Sequence, residues 1–169
     1  GQLAPSAVEL CQKYGVAPEL PVFLYCGKFT ALKRPLELLD AYVKAGLRDQ
    51  ASLIYVGEGA LRPALESQIR EGGLKHVHLI GFLNQSEMPA AYVIGEVLCL
   101  VSEAETWGLV VNEAMACGRP VIVTDTVGCA PDLVDPETGW ITSVDHLAMT
   151  LRGAFEQRSQ WGQMGSAAR

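Results

Sequence analysis

Short apolar runs recur along the chain and alternate with longer amphipathic stretches. The runs are rich in Val, Ile, Leu and aromatic residues, and their hydrophobicity is continuous rather than alternating. Such runs are typical of strands that are buried on both faces of a parallel sheet. We therefore predict six β-strands, at residues 21–26, 52–56, 77–80, 97–101, 121–124 and, with a weaker pattern, 140–142.

The stretches between these runs have apolar residues at helical spacing and end at glycine, proline or polar residues. Strands that alternate with helices through short connections predict an α/β fold, a Rossmann-like doubly wound parallel sheet with helices on both faces. A length of 169 residues favours one domain covering residues 1–169. The predicted helices are residues 36–45, 61–71, 87–93, 110–117 and 147–157.

In a doubly wound sheet, ligands bind in the crevice at the carboxyl ends of the strands. A functional site is therefore expected in the loops that follow the predicted strands, and its ligand is expected to contact several of them at once. These loops are residues 27–29, 57–59, 81–83, 102–109 and 125–128.

Composition excludes several classes of function. The chain has a net charge of −6 and no stripe of Lys or Arg interleaved with aromatic residues, so a nucleic-acid partner is not expected. No apolar stretch approaches the roughly 20 residues that a transmembrane helix needs. Five cysteines without a C-x-x-C pair are interpreted as reduced core residues, which favours a reducing compartment and hence a cytoplasmic location.

Two motifs are rejected as cofactor or metal sites. Gly57 and Gly59 follow a strand, but a dinucleotide-binding fingerprint needs a third glycine where Arg62 stands. His76 and His78 share one face of a predicted strand. A metal site needs three or four converging ligands, so a surface or packing role is favoured for both histidines, and no metal is expected.

The segment 102–120 carries the strongest candidate chemistry. Glu105 lies in a polar loop after an apolar run, and Glu113 lies in a helical pattern that ends at Gly118 and Pro120. The N–H groups at a helix start are unpaired and favour anions. This arrangement indicates an anionic ligand with hydroxyl groups between the two glutamates. The alternative is one acid at a helix start and one solvent-exposed glutamate.

The interval from Glu105 through Trp107 and Gly108 to Glu113 resembles the signature of the GT-B retaining glycosyltransferases of family 4, the glycosyl transferases group 1. In that family, the first glutamate holds the sugar of a nucleotide-sugar donor and the second holds its ribose. The resemblance implies the same roles for Glu105 and Glu113, and it implies that neither carboxylate is required as a nucleophile.

The resemblance extends to the loop after the first predicted strand. Family members usually carry glycine and arginine there and a lysine a few residues later, and both cations contact the donor phosphates. Gly27, Lys28 and Lys33 occupy these positions here. Lysine lacks the bidentate fork of arginine, so the Lys28 contact is expected to be less directional. For both lysines the alternative is a solvated loop.

Two further loops carry donor contacts that the resemblance implies. Gly57 lies near the nucleotide pocket of the family, with a tight turn as the alternative interpretation. The main chain at Gly81 and Phe82 contacts the base in the family. Core packing by Phe82 and Leu83 is the alternative there.

As a whole, the resemblance implies that the chain is the carboxyl-terminal, donor-binding half of a retaining glycosyltransferase. Its amino-terminal acceptor domain would lie outside this sequence, and the isolated half is expected to be inactive. Lys33 and Glu105 are the implied catalytic residues. Negative charge on the leaving diphosphate would be stabilised by Lys28, Lys33 and the N–H groups near Trp107, Gly108 and Leu109.

The expected partners are a nucleoside-diphosphate sugar and the acceptor domain, without a metal or another cofactor. Attachment of the enzyme to a membrane surface through that absent domain stays open. Two other functions also stay open, a GT-B sugar-nucleotide epimerase and a non-catalytic nucleotide-binding module. The side chains do not identify the nucleotide, the sugar or the acceptor.

Overall fold

Six parallel strands form one sheet in the computed structural model, which describes residues 6–169. Each strand lies within one or two residues of an apolar run in the sequence. The four inner strands are buried along their whole length because both faces of the sheet are covered, whereas the two edge strands are only partly buried. The strands are β1 (Val22–Cys26), β2 (Ser52–Val56), β3 (Val77–Gly81), β4 (Val97–Leu100), β5 (Val121–Thr124) and β6 (Gly139–Thr142).

Eight helices lie around the sheet within the described residues. They are α1 (Ala7–Tyr14), α2 (Pro35–Lys44), α3 (Arg62–Gly72), α4 (Met88–Ile94), α5 (Leu109–Ala116), α6 (Ala130–Leu133), α7 (Leu147–Glu156) and α8 (Trp161–Ala168). The five helices that periodicity predicts correspond to α2, α3, α4, α5 and α7. The prediction from periodicity does not include α1, α6 or α8.

The helices divide into two layers because successive strand side chains point to opposite faces. Phe23 and Tyr25 of β1 join a core formed with α2, α3, α7 and α8. Leu24 of the same strand joins a second core, formed with α1, α4, α5 and α6. The predicted doubly wound α/β sheet with helices on both faces is confirmed.

The strand order is β3-β2-β1-β4-β5-β6, with every neighbouring pair parallel. The order reverses between β1 and β4. The chain after β1 continues into α2 on one face, whereas the chain after β4 continues into α5 on the other face. The two loops therefore diverge and leave a crevice at the carboxyl end of the sheet, where this fold class binds its ligands.

Candidate functional site

Two adjoining cavities open at the carboxyl ends of the strands. The first cavity, of about 490 Å³, lies between the loops after β1, β2 and β3 and the side of α5. The second cavity, of about 560 Å³, lies between the loops after β1 and β4. Both volumes are typical of small-molecule sites. Four residues line both cavities, namely Cys26, Gly27, Lys28 and Val110.

Backbone groups form one wall of the first cavity because two glycine loops lie directly against each other. A Cβ at Gly57 would lie only 1.9 Å from the carbonyl oxygen of Gly27, so no side chain fits there. The Gly27 N–H donates to Val56 O at 3.0 Å, and the Phe29 N–H donates to Glu58 O at 2.9 Å. Glycine at position 57 is therefore required for loop packing, whatever the cavity binds.

The loop after β3 forms the adjoining wall. Gly81 has a φ of 88° and its carbonyl accepts a 2.8 Å hydrogen bond from the Gly57 N–H. The Phe82 side chain is 74% exposed, whereas Leu83 is buried. The core-packing interpretation is therefore correct for Leu83 and wrong for Phe82. Both side chains line the first cavity.

Lys33 and Glu105 form an ion pair in the second cavity. Lys33 ends a short 3₁₀ turn, Ala31–Lys33, and its Nζ contacts Glu105 Oε2. Their side chains are only 25% and 21% exposed. The Ser102 hydroxyl donates to the same carboxylate oxygen at 3.2 Å. The two implied catalytic side chains are thus direct neighbours, which the spacing of 72 residues between them does not reveal.

The backbone around Glu105 is held by the loop after β5. The Gly128 N–H donates to the Glu105 carbonyl at 2.8 Å, and the Thr126 hydroxyl donates to the Ser102 carbonyl at 2.6 Å. A Cβ at Gly128 would lie 1.8 Å from the carbonyl oxygen of Thr106. The predicted loop at residues 125–128 therefore supports the Glu105 loop from behind.

The start of α5 faces the second cavity. Gly108 is buried at a φ of 102°, and no side chain caps the helix at this position. Leu109 follows and is 70% exposed. The Trp107 indole N–H donates to Asn112 Oδ1 at 2.7 Å, which holds the ring beside the cavity mouth. The first-turn N–H groups, without a side-chain cap, suit an anion at this end of the cavity.

Glu113 lines the first cavity and Glu105 lines the second, so the two acids belong to opposite ends of the crevice. The Tyr92 hydroxyl donates a 2.8 Å hydrogen bond to Glu113 Oε2. Sequence reasoning does not identify Tyr92, because it lies on a different helix and in an apolar stretch that only predicts packing.

Lys28 is exposed where the two cavities meet, and its carbonyl accepts a 2.6 Å hydrogen bond from the Tyr25 hydroxyl. Within residues 6–169 the Lys28 amine has no ion-pair partner. The crevice therefore holds one lysine paired with a glutamate and one lysine with its charge uncompensated.

His76 and His78 line neither cavity. His78 lies in β3, and burial, with a smaller contribution from nearby His76, lowers its pKa. Among the described residues, no group of three or more His, Cys, Asp or Glu is arranged to hold a metal ion. The helices of residues 6–169 include none with the length and hydropathy of a membrane span.

The cysteines are all free thiols, and burial differs among them. Cys26, Cys99 and Cys129 are buried, as the core interpretation predicts, and Cys11 is half-buried. Cys117 is exposed, so the core interpretation is wrong for this residue. It follows directly after the last residue of α5.

Residues 9–169 match the model of the family described as glycosyl transferases group 1. The alpha-D-kanosaminyltransferase of Streptomyces kanamyceticus is 31% identical over 133 residues, which are 78% of this chain and 34% of the relative. The sulfoquinovosyl transferase SQD2 of Arabidopsis thaliana is 31% identical over 159 residues, which are 90% of this chain and 30% of the relative. The chain thus spans about a third of these relatives.

Solved structures of other proteins have the same fold. Anabaena HepE in complex with UDP and glucose superposes with a TM-score of 0.81 at 26% identity, over 96% of this chain and 46% of that chain. WaaG, a glycosyltransferase involved in lipopolysaccharide biosynthesis, superposes with a TM-score of 0.79 at 26% identity, over 99% of this chain and 46% of that chain.

Proposed function

The chain belongs to the glycosyl transferases group 1 family, and on this premise we propose that it is the donor-binding domain of a family 4 retaining glycosyltransferase. The donor would be a nucleoside-diphosphate sugar. The observation that carries this proposal is the pair of cavities that meet at Lys28, with an acid in each cavity and the uncapped start of α5 beside the second.

The nucleoside is assigned to the first cavity. The exposed Phe82 ring offers a surface for a base, and Glu113 offers a carboxylate to the ribose hydroxyls. The wall of this cavity that Gly27 and Gly57 form consists mostly of backbone groups, so it favours a planar base over a bulkier group. The HepE complex, which contains UDP and glucose, supports this assignment by its similarity in fold.

The diphosphate and the sugar are assigned to the second cavity. Lys28 and the first-turn N–H groups of α5 provide positive charge for the phosphates, and Glu105 provides a hydrogen-bond acceptor for sugar hydroxyls. An ammonium group has three donors. Lys33 can therefore keep its contact with Glu105 and still donate to a phosphate oxygen.

The proposed chemistry centres on the leaving group. The bond between the anomeric carbon and the diphosphate breaks, and the diphosphate departs with the bonding electron pair. The oxygen of an acceptor hydroxyl forms the new bond on the same face, and its proton passes to the departing diphosphate. Lys28, Lys33 and the N–H groups at the start of α5 stabilise the charge that develops there. Loss of one such preorganised donor typically lowers a rate by about a hundred- to a thousandfold. This role requires no metal.

The acceptor is assigned to the remainder of a longer enzyme. The chain spans 34% and 30% of two curated relatives and 46% of the HepE chain, so most of each relative lies outside the region that this domain matches. The proposed cavities bind a donor only. An amino-terminal domain that faces the crevice would supply the acceptor hydroxyl.

Calorimetric titration of the folded chain with UDP, GDP and ADP tests the proposal. Saturable binding of at least one nucleotide, competed by its nucleotide sugar, is the expected result. Circular dichroism of the same sample establishes that the protein is folded. A folded chain that binds none of the three nucleotides would contradict the assignment of both cavities.

A further inference from the structure

Glu113 does not stand alone at the wall of the first cavity. The hydroxyl of Tyr92 donates a 2.8 Å hydrogen bond to its Oε2. Tyr92 lies on α4 and is only 3% exposed, within the core on that face of the sheet. The glutamate is exposed. A buried donor therefore holds one oxygen of an otherwise solvent-facing carboxylate.

Tyr92 is itself fixed by the turn after α5. The Arg119 guanidinium donates from Nε to the Tyr92 carbonyl at 2.6 Å and from Nη2 to the Val93 carbonyl at 2.8 Å. Cations at the end of a helix satisfy its unpaired carbonyl groups. Helix α4 is thus joined to α5 through the Tyr92 hydroxyl and to the turn after α5 through Arg119, and these contacts fix the position of the donor.

The hydrogen bond from Tyr92 leaves the Glu113 carboxylate with acceptor sites for a ligand. Burial raises the pKa of Tyr92, and Cys26 and the bond to Glu113 add to this effect. The hydroxyl therefore stays protonated and donates. A carboxylate has about four lone-pair sites. The tyrosine occupies one of them, and the remaining sites can accept bonds from two neighbouring hydroxyl groups of a ligand.

We propose that Tyr92 is a positioning residue that orients the Glu113 carboxylate toward the 2′ and 3′ hydroxyls of a ribose. The pair would make the first cavity select ribonucleotides over deoxynucleotides. This inference rests on the proposed function, since it concerns the nucleoside end of the same site. Without the hydroxyl of Tyr92, the glutamate would sample several rotamers and would lose rotamer freedom on binding.

The experiment compares nucleotide binding by the wild type and by the Tyr92→Phe variant. Calorimetry is performed with the ribonucleotide that the chain binds, among UDP, GDP and ADP, and with its 2′,3′-dideoxy counterpart. We expect Tyr92→Phe to weaken ribonucleotide binding about three- to tenfold, as the loss of one hydrogen bond predicts. The affinity for the dideoxy nucleotide should be unchanged.

A double-mutant cycle with Glu113→Ala isolates the coupling. The Tyr92→Phe change should have no further effect on ribonucleotide binding once Glu113 is truncated. Tyr42→Phe is the matched control: Tyr42 is also buried and donates to the Ala51 carbonyl at 2.6 Å, but it lines neither cavity. This control should bind both nucleotides as the wild type does.

The outcomes separate this inference from the proposed function. A wild type that binds no nucleotide contradicts the proposed function before any variant is compared. If the wild type binds but Tyr92→Phe keeps the wild-type ratio of ribonucleotide to dideoxynucleotide affinity, the positioning role is wrong. If Tyr92→Phe does not fold, Glu113→Asp takes its place. The aspartate side chain is one methylene shorter, so its carboxylate lies farther from the Tyr92 hydroxyl. An unchanged ratio in Glu113→Asp overturns the inference equally.

Discussion

The ion pair between Lys33 and Glu105 changes the interpretation of two single residues. From the sequence, each was assigned a separate contact, with phosphate for the lysine and with sugar hydroxyls for the glutamate. In the structure the two charges compensate each other, and Ser102 donates to the same carboxylate oxygen. Each side chain therefore orients the other, and removal of either one leaves an unpaired charge in the second cavity.

Lys33→Ala should weaken UDP binding about ten- to a hundredfold and leave uridine binding within about twofold of the wild type. The physical reason is that a charged hydrogen bond is worth about 1.5 to 3 kcal/mol and that uridine has no phosphate to receive it. The unpaired Glu105 carboxylate would add repulsion toward the diphosphate. Calorimetric titration with the two ligands measures the difference.

Lys44→Ala is the control for this prediction. Lys44 is exposed and lines neither cavity, and its ion-pair partner within the described residues is Asp40, one turn earlier. Its removal should change neither affinity, because an exposed pair of this type contributes little. An equal loss of UDP and uridine affinity in Lys33→Ala would mean that the lysine does not contact the phosphates.

At the scale of elements, α8 supports the site indirectly. It contains Gly162 and Gly165, and glycine has a low helix propensity, so local sequence does not favour this helix. A Cβ at Gly165 would lie 1.8 Å from the carbonyl oxygen of Gly118. The glycine therefore lets α8 lie against the turn after α5. Arg119 in that turn reaches Tyr92, which connects α8 to the wall of the first cavity.

Gly165→Ala should destabilise the protein by about 1 to 3 kcal/mol, because the new methyl group meets backbone and forces the helix to shift. Gly162→Ala lies in the same helix and meets nothing within 4 Å. That variant should be stabilised by about 0.5 to 1 kcal/mol through reduced backbone entropy of the unfolded chain. Urea denaturation measures both changes, and similar stabilities for the two variants would contradict the packing argument.

At the scale of the whole molecule, the strand order brings the loops of the candidate site together. The loops after β1 and β4 start from adjacent parallel strands and leave toward opposite faces, so the crevice between them follows from the strand order. The third contributor, the loop after β2, is joined to the first through hydrogen bonds at Gly27 and Phe29. The crevice is therefore formed by segments that are distant in the chain and contiguous in the sheet.

The isolated chain should bind a nucleotide sugar but transfer its sugar at a negligible rate. Both proposed cavities are assigned to the donor, and no acceptor site is assigned within residues 6–169. Nuclear magnetic resonance can follow release of the nucleoside diphosphate and appearance of a glycoside when simple sugars are supplied as acceptors. Turnover near the median of about 10 per second for enzymes would contradict the two-domain account.

Hydrophobic periodicity predicted the strands and five of the helices that the structure describes, and it missed α1, α6 and α8. These three helices have only eight, four and eight residues. For α1 a local signal exists, since Ser6 and Glu9 form a capping box at its start. Core packing, the alternative interpretation for Phe82, is also wrong, because an apolar side chain after a buried strand is equally compatible with a cavity wall.

The sequence alone determined the strand positions, the α/β class and most of the loops that line the two cavities, because continuous apolar runs and glycine turns are local properties of the chain. The tertiary structure alone decided that Lys33 contacts Glu105 and that Tyr92 contacts Glu113, pairs that are 72 and 21 residues apart. Strand order and helix packing bring these side chains together through space. No spacing along the chain encodes such contacts, so they appear only when the sheet is assembled.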